Sequence, residues 1–540
     1  MKVFILLSLC TISLGIMAQK IQYPSTQKVN QSDNYFGTII EDPYRWLEDD
    51  TAKNTAAWVV EENKVTQSYF EQIPFRNKLH KRLSELWNYP KYSAPEKNGE
   101  YFTFYKNNGL QNQALLYVQK GIKGKPEILI DPNKLSIDGT VALQATAFSK
   151  KQRYFAYAVS ASGSDWQEIN ILDFNTKKLL SDKIEYVKFT GMSWVGDDGF
   201  YYSGYSKPKE EKTKYSAKTE YQKVFYHKVG TTQEEDMLIY EDKEHPLRYV
   251  GAGVTEDERF LILSIAEGTD GSEIKIKDLQ DKSATGFITL VQGFSTNADV
   301  VDNIGDKILL KTNSAAPNYK LVLADPKNPS EANWKSIIPE TKEPLTFATT
   351  GGNKIFAGYL KDANTLVNQH DLSGKLEHSI QLPGVGTAVG FGSKKEDKEF
   401  YYIFTSFTYP ATIFKYDIAS GKSTLYRKAE VKFNPENFET RQVFYPSKDG
   451  TKVPMFITYK KGLVLNGSNP AMLYAYGGFN INITPAFSVA NIPFIENGGI
   501  YCVANLRGGG EYGEEWHKAG MLQNKQNVFD DFIAAAEYLI

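Results

Sequence analysis

A chain of 540 residues with 41% hydrophobic residues, 23% charged residues and a net charge of −2 is a globular protein too long for one core, so two or more domains are expected. The near-zero charge excludes a protein drawn to nucleic acid or to an acidic membrane surface. Aromatic residues reach 13%, with 34 Tyr and 31 Phe, which suits a strand-rich fold.

Residues 1–18 read as a cleavable secretory signal: Lys2 gives the positive start, residues 3–17 are apolar apart from Ser and Thr, and Ala18 is a small residue at the cleavage point. A spanning helix needs about 20 apolar residues; this run is shorter and meets Gln19-Lys20 at once. Of the two cysteines, Cys10 leaves with the signal, and Cys502 sits alone in an apolar run as a core residue. The mature chain then has no internal disulfide, and an exported protein without one fits a periplasm.

Residues 51–87 read as helix, with Trp58, Val59, Val65, Tyr69 and Phe70 set among Glu, Lys and Gln. A repeat follows. Apolar or aromatic strand patterns start at Tyr101, Tyr154, Phe200, Phe260, Ile308, Ile355 and Phe400, with gaps of 53, 46, 60, 48, 47 and 45 residues. Most are followed by a second strand, such as Ile274-Lys275-Ile276-Lys277-Asp278 or Ile413-Phe414-Lys415-Tyr416-Asp417. Short strands repeating every 40 to 50 residues mark a β-propeller, here of seven blades; a β-sandwich with accidental spacing is the alternative.

The texture changes after about residue 435. A hairpin turns at Lys448-Asp449-Gly450, and two apolar runs then end in glycine turns: residues 471–480, closing on Gly477-Gly478, and residues 499–513, closing on Gly508-Gly509-Gly510. Both read as buried strands feeding loops at the edge of a parallel sheet. Residues 527–540 read as helix. The expected fold class is a seven-bladed β-propeller inserted into an α/β-hydrolase domain, with a signal at 1–18, a helical segment at 19–74, the propeller at 75–430 and the α/β part at 431–540.

An α/β hydrolase carries its serine on a sharp strand-to-helix turn written G-x-S-x-G, and these 540 residues contain none. Asn466-Gly467-Ser468-Asn469-Pro470 lacks the flanking glycines and precedes a strand, and Gly191-Met192-Ser193-Trp194-Val195 lies in a blade. No two of the six histidines have zinc-site spacing. His227, His370 and His378 read as blade or surface residues, and His517 as a loop-packing residue. Arg507-Gly508-Gly509-Gly510 has no phosphate-loop lysine and reads as a tight turn where the backbone approaches another loop. No cofactor and no metal are called for.

Four blocks carry a family resemblance: Asp42-Pro43-Tyr44-Arg45-Trp46-Leu47-Glu48-Asp49; Tyr474-Ala475-Tyr476-Gly477-Gly478-Phe479-Asn480; Asn505-Leu506-Arg507-Gly508-Gly509-Gly510-Glu511-Tyr512-Gly513 with Trp516-His517-Lys518; and Asn524-Lys525-Gln526-Asn527-Val528-Phe529-Asp530-Asp531-Phe532. Together they resemble prolyl oligopeptidase, across everything after the signal. The resemblance implies a serine endopeptidase that cuts short proline-containing peptides after proline, a monomer when complete, free of the membrane once the signal is removed. Its propeller caps the α/β-hydrolase domain and the helical segment packs on that domain. Tyr476 matches the tyrosine whose hydroxyl donates to the oxyanion, a phenol aimed at developing charge; a strand-end tyrosine with a satisfied hydroxyl is the bland alternative. Phe479 matches an aromatic wall of the proline pocket, against a core Phe, and Phe189 is a second candidate for that cavity. The family's serine, aspartate and histidine lie beyond the helix of residues 527–540. The resemblance thus implies a C-terminally incomplete chain, inactive by itself. A non-catalytic peptide-binding propeller and a sister peptidase of oligopeptidase B or dipeptidyl-peptidase type are the alternatives.

Overall fold

The computed structural model describes residues 21–49, 51–207, 219–283 and 285–540; the signal at residues 1–18 lies outside them. The chain divides after Leu83 into two units. The first opens on a hairpin, Ser32–Tyr35 against Thr38–Glu41, ahead of the helical part of the segment expected at residues 19–74. Its turn places Phe36 and Gly37 at positive φ. Arg45 ties this hairpin to the next turn by ion pairs to Asp33 and Asp42. Helix Lys53–Glu71 follows, and Trp58 donates its indole N–H to Thr26 Oγ1 at 2.9 Å. A second helix, Arg76–Trp87, occupies the stretch where the propeller was expected to open. The first propeller strand is Lys91–Tyr92.

Seven antiparallel blades then succeed one another, the second and third joined in a single sheet, and each repeat start of the sequence lies in the second strand of one of them. These second strands are Tyr101–Asn107, Tyr154–Ser160, Gly199–Gly204, Phe260–Ala266, Lys307–Thr312, Lys354–Lys361 and Glu399–Thr405. A strand with neighbours on both sides and covered faces reads as a continuous apolar run; Phe260, Leu261 and Leu263 are all buried. Third strands alternate instead: in Glu273–Asp278 only Ile274 and Ile276 are buried. Fourth strands are more exposed, as in Met237–Glu241 and Leu376–Ser379. Strands of blades one, four, five, six and seven wall a cavity of about 1130 Å³, which places it at the centre of the ring.

The remaining sheet has four strands in the order Phe438–Pro446, Lys452–Lys460, Ile500–Ala504, Ala471–Ala475. The last two are parallel, with Ala475 opposite Ala504. Helix Gln526–Leu539 covers one face, with Val528 and Ala535 buried against Tyr445, Met455, Cys502 and Leu506. Contrary to expectation, Ala471–Ala475 is not buried: Met472 and Tyr474 are exposed, because the strand is the sheet's edge and has only one neighbour. In Ile500–Ala504, between two strands, Cys502, Val503 and Ala504 are buried as expected. The sheet meets the propeller through Tyr512 Oη to Asp362 Oδ1 at 3.0 Å and Gln442 Nε2 to Asp362 O at 2.7 Å. Among the described residues no helix is long and apolar enough to cross a membrane.

Candidate active-site edge

In an open α/β sheet, ligands bind beyond the carboxyl ends of the parallel strands. Here both strands of the parallel pair leave the sheet together, Tyr476 following Ala475 and Asn505 following Ala504. The turns that follow need glycine. Gly477 has φ +65°, and a Cβ on it would lie 2.5 Å from Val528 Cγ1. Gly508 has φ +90°, and its Cβ would lie 2.8 Å from the carbonyl oxygen of Gly477. The two glycine turns therefore pack backbone on backbone, the close approach read from residues 507–510.

Between them, Phe479 and Asn480 both adopt the left-handed region, at φ 52° and 57°. Such a pair persists only when its surroundings over-determine it. Asn480 N–H donates to Gly508 O at 3.1 Å, Ile481 N–H to Gly478 O at 3.0 Å, and Lys525 Nζ to Gly477 O at 2.7 Å. His517, buried, has Nδ1 2.8 Å from Gly508 O and donates there. Its role is loop packing, as its place in the chain suggests.

Beneath this edge lies an ion cluster that sequence reading missed. Arg507 is 4% exposed and Asp531 0%. The guanidinium donates to both carboxylate oxygens of Asp531, Nη2 to Oδ1 at 2.6 Å and Nε to Oδ2 at 3.0 Å, while the Arg507 N–H reaches Oδ2 at 3.1 Å. Its Nη1 also reaches Asp449 Oδ2 at 2.6 Å. That contact, with the backbone N–H of Thr451, holds the Asp449 carboxyl down at about 2. One side chain thus joins the glycine turn, the hairpin turn and the covering helix. Glu511, also buried, accepts from Ile483 N–H at 2.8 Å and Asn505 Nδ2 at 3.2 Å, and burial pushes its carboxyl above the usual range. Cys502 is a core thiol pushed up to about 12 by burial, inert as expected.

The predicted site residues fall in two places. Tyr476 and Phe479 stand on the same turn, 46% and 64% exposed, and no hydrogen bond holds the Tyr476 hydroxyl among the described residues. Phe189 follows the fourth strand of blade two at φ 54° and meets the Tyr249 ring edge-on at 5.8 Å, with Lys188 Nζ 5.1 Å from its centroid. Among the described residues no contact joins it to Tyr476 or Phe479.

A seven-bladed propeller followed by the edge of an α/β sheet with two interlocked glycine turns defines the class of propeller-bearing serine peptidases. The description "Prolyl oligopeptidase, N-terminal beta-propeller domain" matches residues 23–429, and "Prolyl oligopeptidase family" matches residues 485–540. The prolyl endopeptidase of Elizabethkingia meningoseptica is 53% identical over 96% of this chain and 73% of its own length. Prolyl oligopeptidase A of Amanita bisporigera is 34% identical over 96% and 73%. A structure from a study of two prolyl endopeptidases superposes with a TM-score of 0.89 at 36% identity, covering 96% of this chain and 76% of that one. The chain belongs to the prolyl oligopeptidase family of serine peptidases.

Proposed function

We propose that this chain supplies the propeller and the oxyanion side of an endopeptidase that cuts short peptides after proline through an acyl-enzyme. The observation that carries this is Tyr476, its hydroxyl unpartnered and open at the carboxyl end of a parallel strand. A phenol fixed there donates to the oxygen of a tetrahedral intermediate and is worth a few kcal/mol. Phe479, exposed three residues on, offers a flat apolar wall for a pyrrolidine ring. The left-handed backbone that presents it supports a binding role over a core one.

The 540 residues hold no G-x-S-x-G, so the purified chain is expected not to hydrolyse a chromogenic proline peptide. Hydrolysis by it would overturn the placement of the nucleophile outside these residues. The role of Tyr476 is tested in a chimera, this chain followed by the remaining part of the Elizabethkingia meningoseptica relative. Tyr476→Phe should lower kcat about tenfold or more, with KM little changed; an unchanged kcat removes Tyr476 from the oxyanion site. Phe479→Ala in the same chimera should act mainly on KM.

The protein is further proposed to be exported to a periplasm as a monomer after cleavage behind Ala18, on the strength of Lys2 and the apolar run behind it. A secreted form beginning at Gln19 is expected; recovery of the intact Met1 form from the cytoplasm would refute the export signal.

A further inference from the structure

Inside the propeller, away from the glycine turns, three ionisable side chains meet with almost no access to water. His227, in the third strand of blade three, is 0% exposed. Its Nδ1 lies 2.7 Å from Asp236 Oδ1 and its Nε2 lies 3.1 Å from Asp182 Oδ1. Asp182 belongs to the fourth strand of blade two, Lys178–Val187, so the contact crosses a seam.

A neutral imidazole carries one N–H. With a carboxylate on each ring nitrogen, the neutral form would aim a lone pair at carboxylate oxygen on one side or the other. Only the imidazolium donates both ways. The other groups facing the cluster are neutral donors: Tyr202 Oη gives a hydrogen bond to Asp236 Oδ2 at 2.7 Å, and Gly230 N–H one to Asp182 Oδ1 at 2.5 Å. The Phe200 ring packs against the imidazole at 5.6 Å. Among the described residues no Lys or Arg pairs with either carboxylate, so the positive charge between them is His227 itself. Burial alone would push the imidazole pKa down, but the hydrogen bonds and charges of Asp236 and then Asp182 outweigh it and raise it above the ordinary value.

The seam is special in its backbone as well. Val187 pairs with Gly204, so blades two and three run together as one eight-stranded sheet, unlike any other neighbouring pair among the described residues. The Gln233 side chain extends the pairing, accepting from Glu185 N–H and donating to Glu185 O, both at 3.0 Å. The strand held this way ends two residues before Phe189.

We propose that Asp182, His227 and Asp236 form a proton-dependent latch that locks blade three to the last strand of blade two, just ahead of Phe189, while His227 is an imidazolium. Loss of the proton leaves two buried carboxylates sharing a single N–H, and the seam loosens. Because the folded-state pKa is raised, the latch contributes fully below about 6.5, the ordinary histidine value, and is lost as pH rises through the folded value. The proposal does not depend on the peptidase reading and is tested on the chain itself.

The test is NMR of protein labelled with ¹⁵N at histidine, with His227→Gln identifying the signal, and hydrogen exchange of the two strands from about pH 6 to 9. At pH 6 both His227 nitrogens should be protonated. As that proton leaves, exchange corrected for the intrinsic pH effect should rise at least tenfold in Lys178–Val187 and Lys223–Lys228, with Lys335–Ile338 of blade five unchanged. Asp182→Asn should move the transition to lower pH, and His227→Gln should abolish it. A singly protonated ring at pH 6 overturns the proposal, and so does seam protection that stays constant across the range in the unmodified chain. Should His227→Gln fail to fold, the unmodified chain and Asp182→Asn still decide.

Discussion

Six of the propeller's seams are built on a shared apolar cluster and the seventh is not. Each consecutive pair from one–two to six–seven shares a cluster of buried hydrophobic residues. Between blades seven and one the described residues form no such cluster. That seam closes instead by the ion pair of Lys97 with Asp397, an edge-on contact of Phe102 with Tyr401 at 6.4 Å, and the Arg427 guanidinium 3.7 Å from the Tyr92 ring centroid. A cavity of about 130 Å³ lies beside these contacts, lined by Tyr92, Phe104, Tyr117 and Arg427 among others. The difference follows from the chain. Consecutive blades are tethered by a short connection, so a greasy seam need only exclude water, whereas blades seven and one meet across some 300 residues. Directional contacts at that joint set its register, where apolar contacts alone would let it slide.

The comparison is broken most strongly at an apolar seam. Phe356 is fully buried and packs edge-on against Phe400 at 4.9 Å across blades six and seven. Phe356→Ala should cost about 3–5 kcal/mol, read from denaturant midpoints. At the seventh seam, Lys97→Met leaves Asp397, 5% exposed, with the Lys394 N–H as its remaining donor. The expected loss is smaller, about 1–3 kcal/mol, with hydrogen exchange rising at blades one and seven only. A Lys97→Met loss as large as that of Phe356→Ala would refute the contrast. Removing the Arg427 guanidinium as Arg427→Ala should cost less again, about 0.5–1 kcal/mol.

The same contrast governs how much could be read from sequence. The seven second strands were legible because burial on both faces writes a continuous apolar run. The first and fourth strands were not, since many are short or half exposed and write no continuous apolar run, as in Leu376–Ser379 and Thr387–Val389. The exposure of Ala471–Ala475 was hidden, because an apolar run does not say whether a second neighbour will cover it. Gly477 and Gly508 were legible as a close approach, glycine being the residue such backbone geometry demands. The Arg507–Asp531 pair and the Asp182–His227–Asp236 cluster were not: partners 24 and 45 residues apart have no spacing signature, and only the fold brings them together. Tyr476 and Phe479 came from the family blocks, and Phe189 sits far from them in sequence with no pattern to join it.

The smallest expected effect concerns a second buried histidine, whose sign is opposite to that of His227. His370 lies in the third strand of blade six, 6% exposed. Its Nδ1 donates to Gly374 O at 3.0 Å, and Nε2 has no partner among the described residues. That bond holds the turn whose Gly374 packs on the carbonyl of Ile337 in blade five, where a Cβ would come within 2.1 Å. Burial depresses the imidazole pKa, partly offset by the Gly374 carbonyl, because a proton on Nε2 would place a charge with no acceptor. The folded state therefore binds this proton less readily than the unfolded chain, so stability falls as pH drops below about 6.5. His227 acts in the reverse direction, above that value. His370→Gln should flatten the acid side of a melting-temperature profile and leave the alkaline side unchanged, while His227→Gln should do the opposite. If both substitutions flattened the same side, one of the two histidines would be in the other protonation state, and the division between a charged joint at blades two and three and a neutral one at blades five and six would fall.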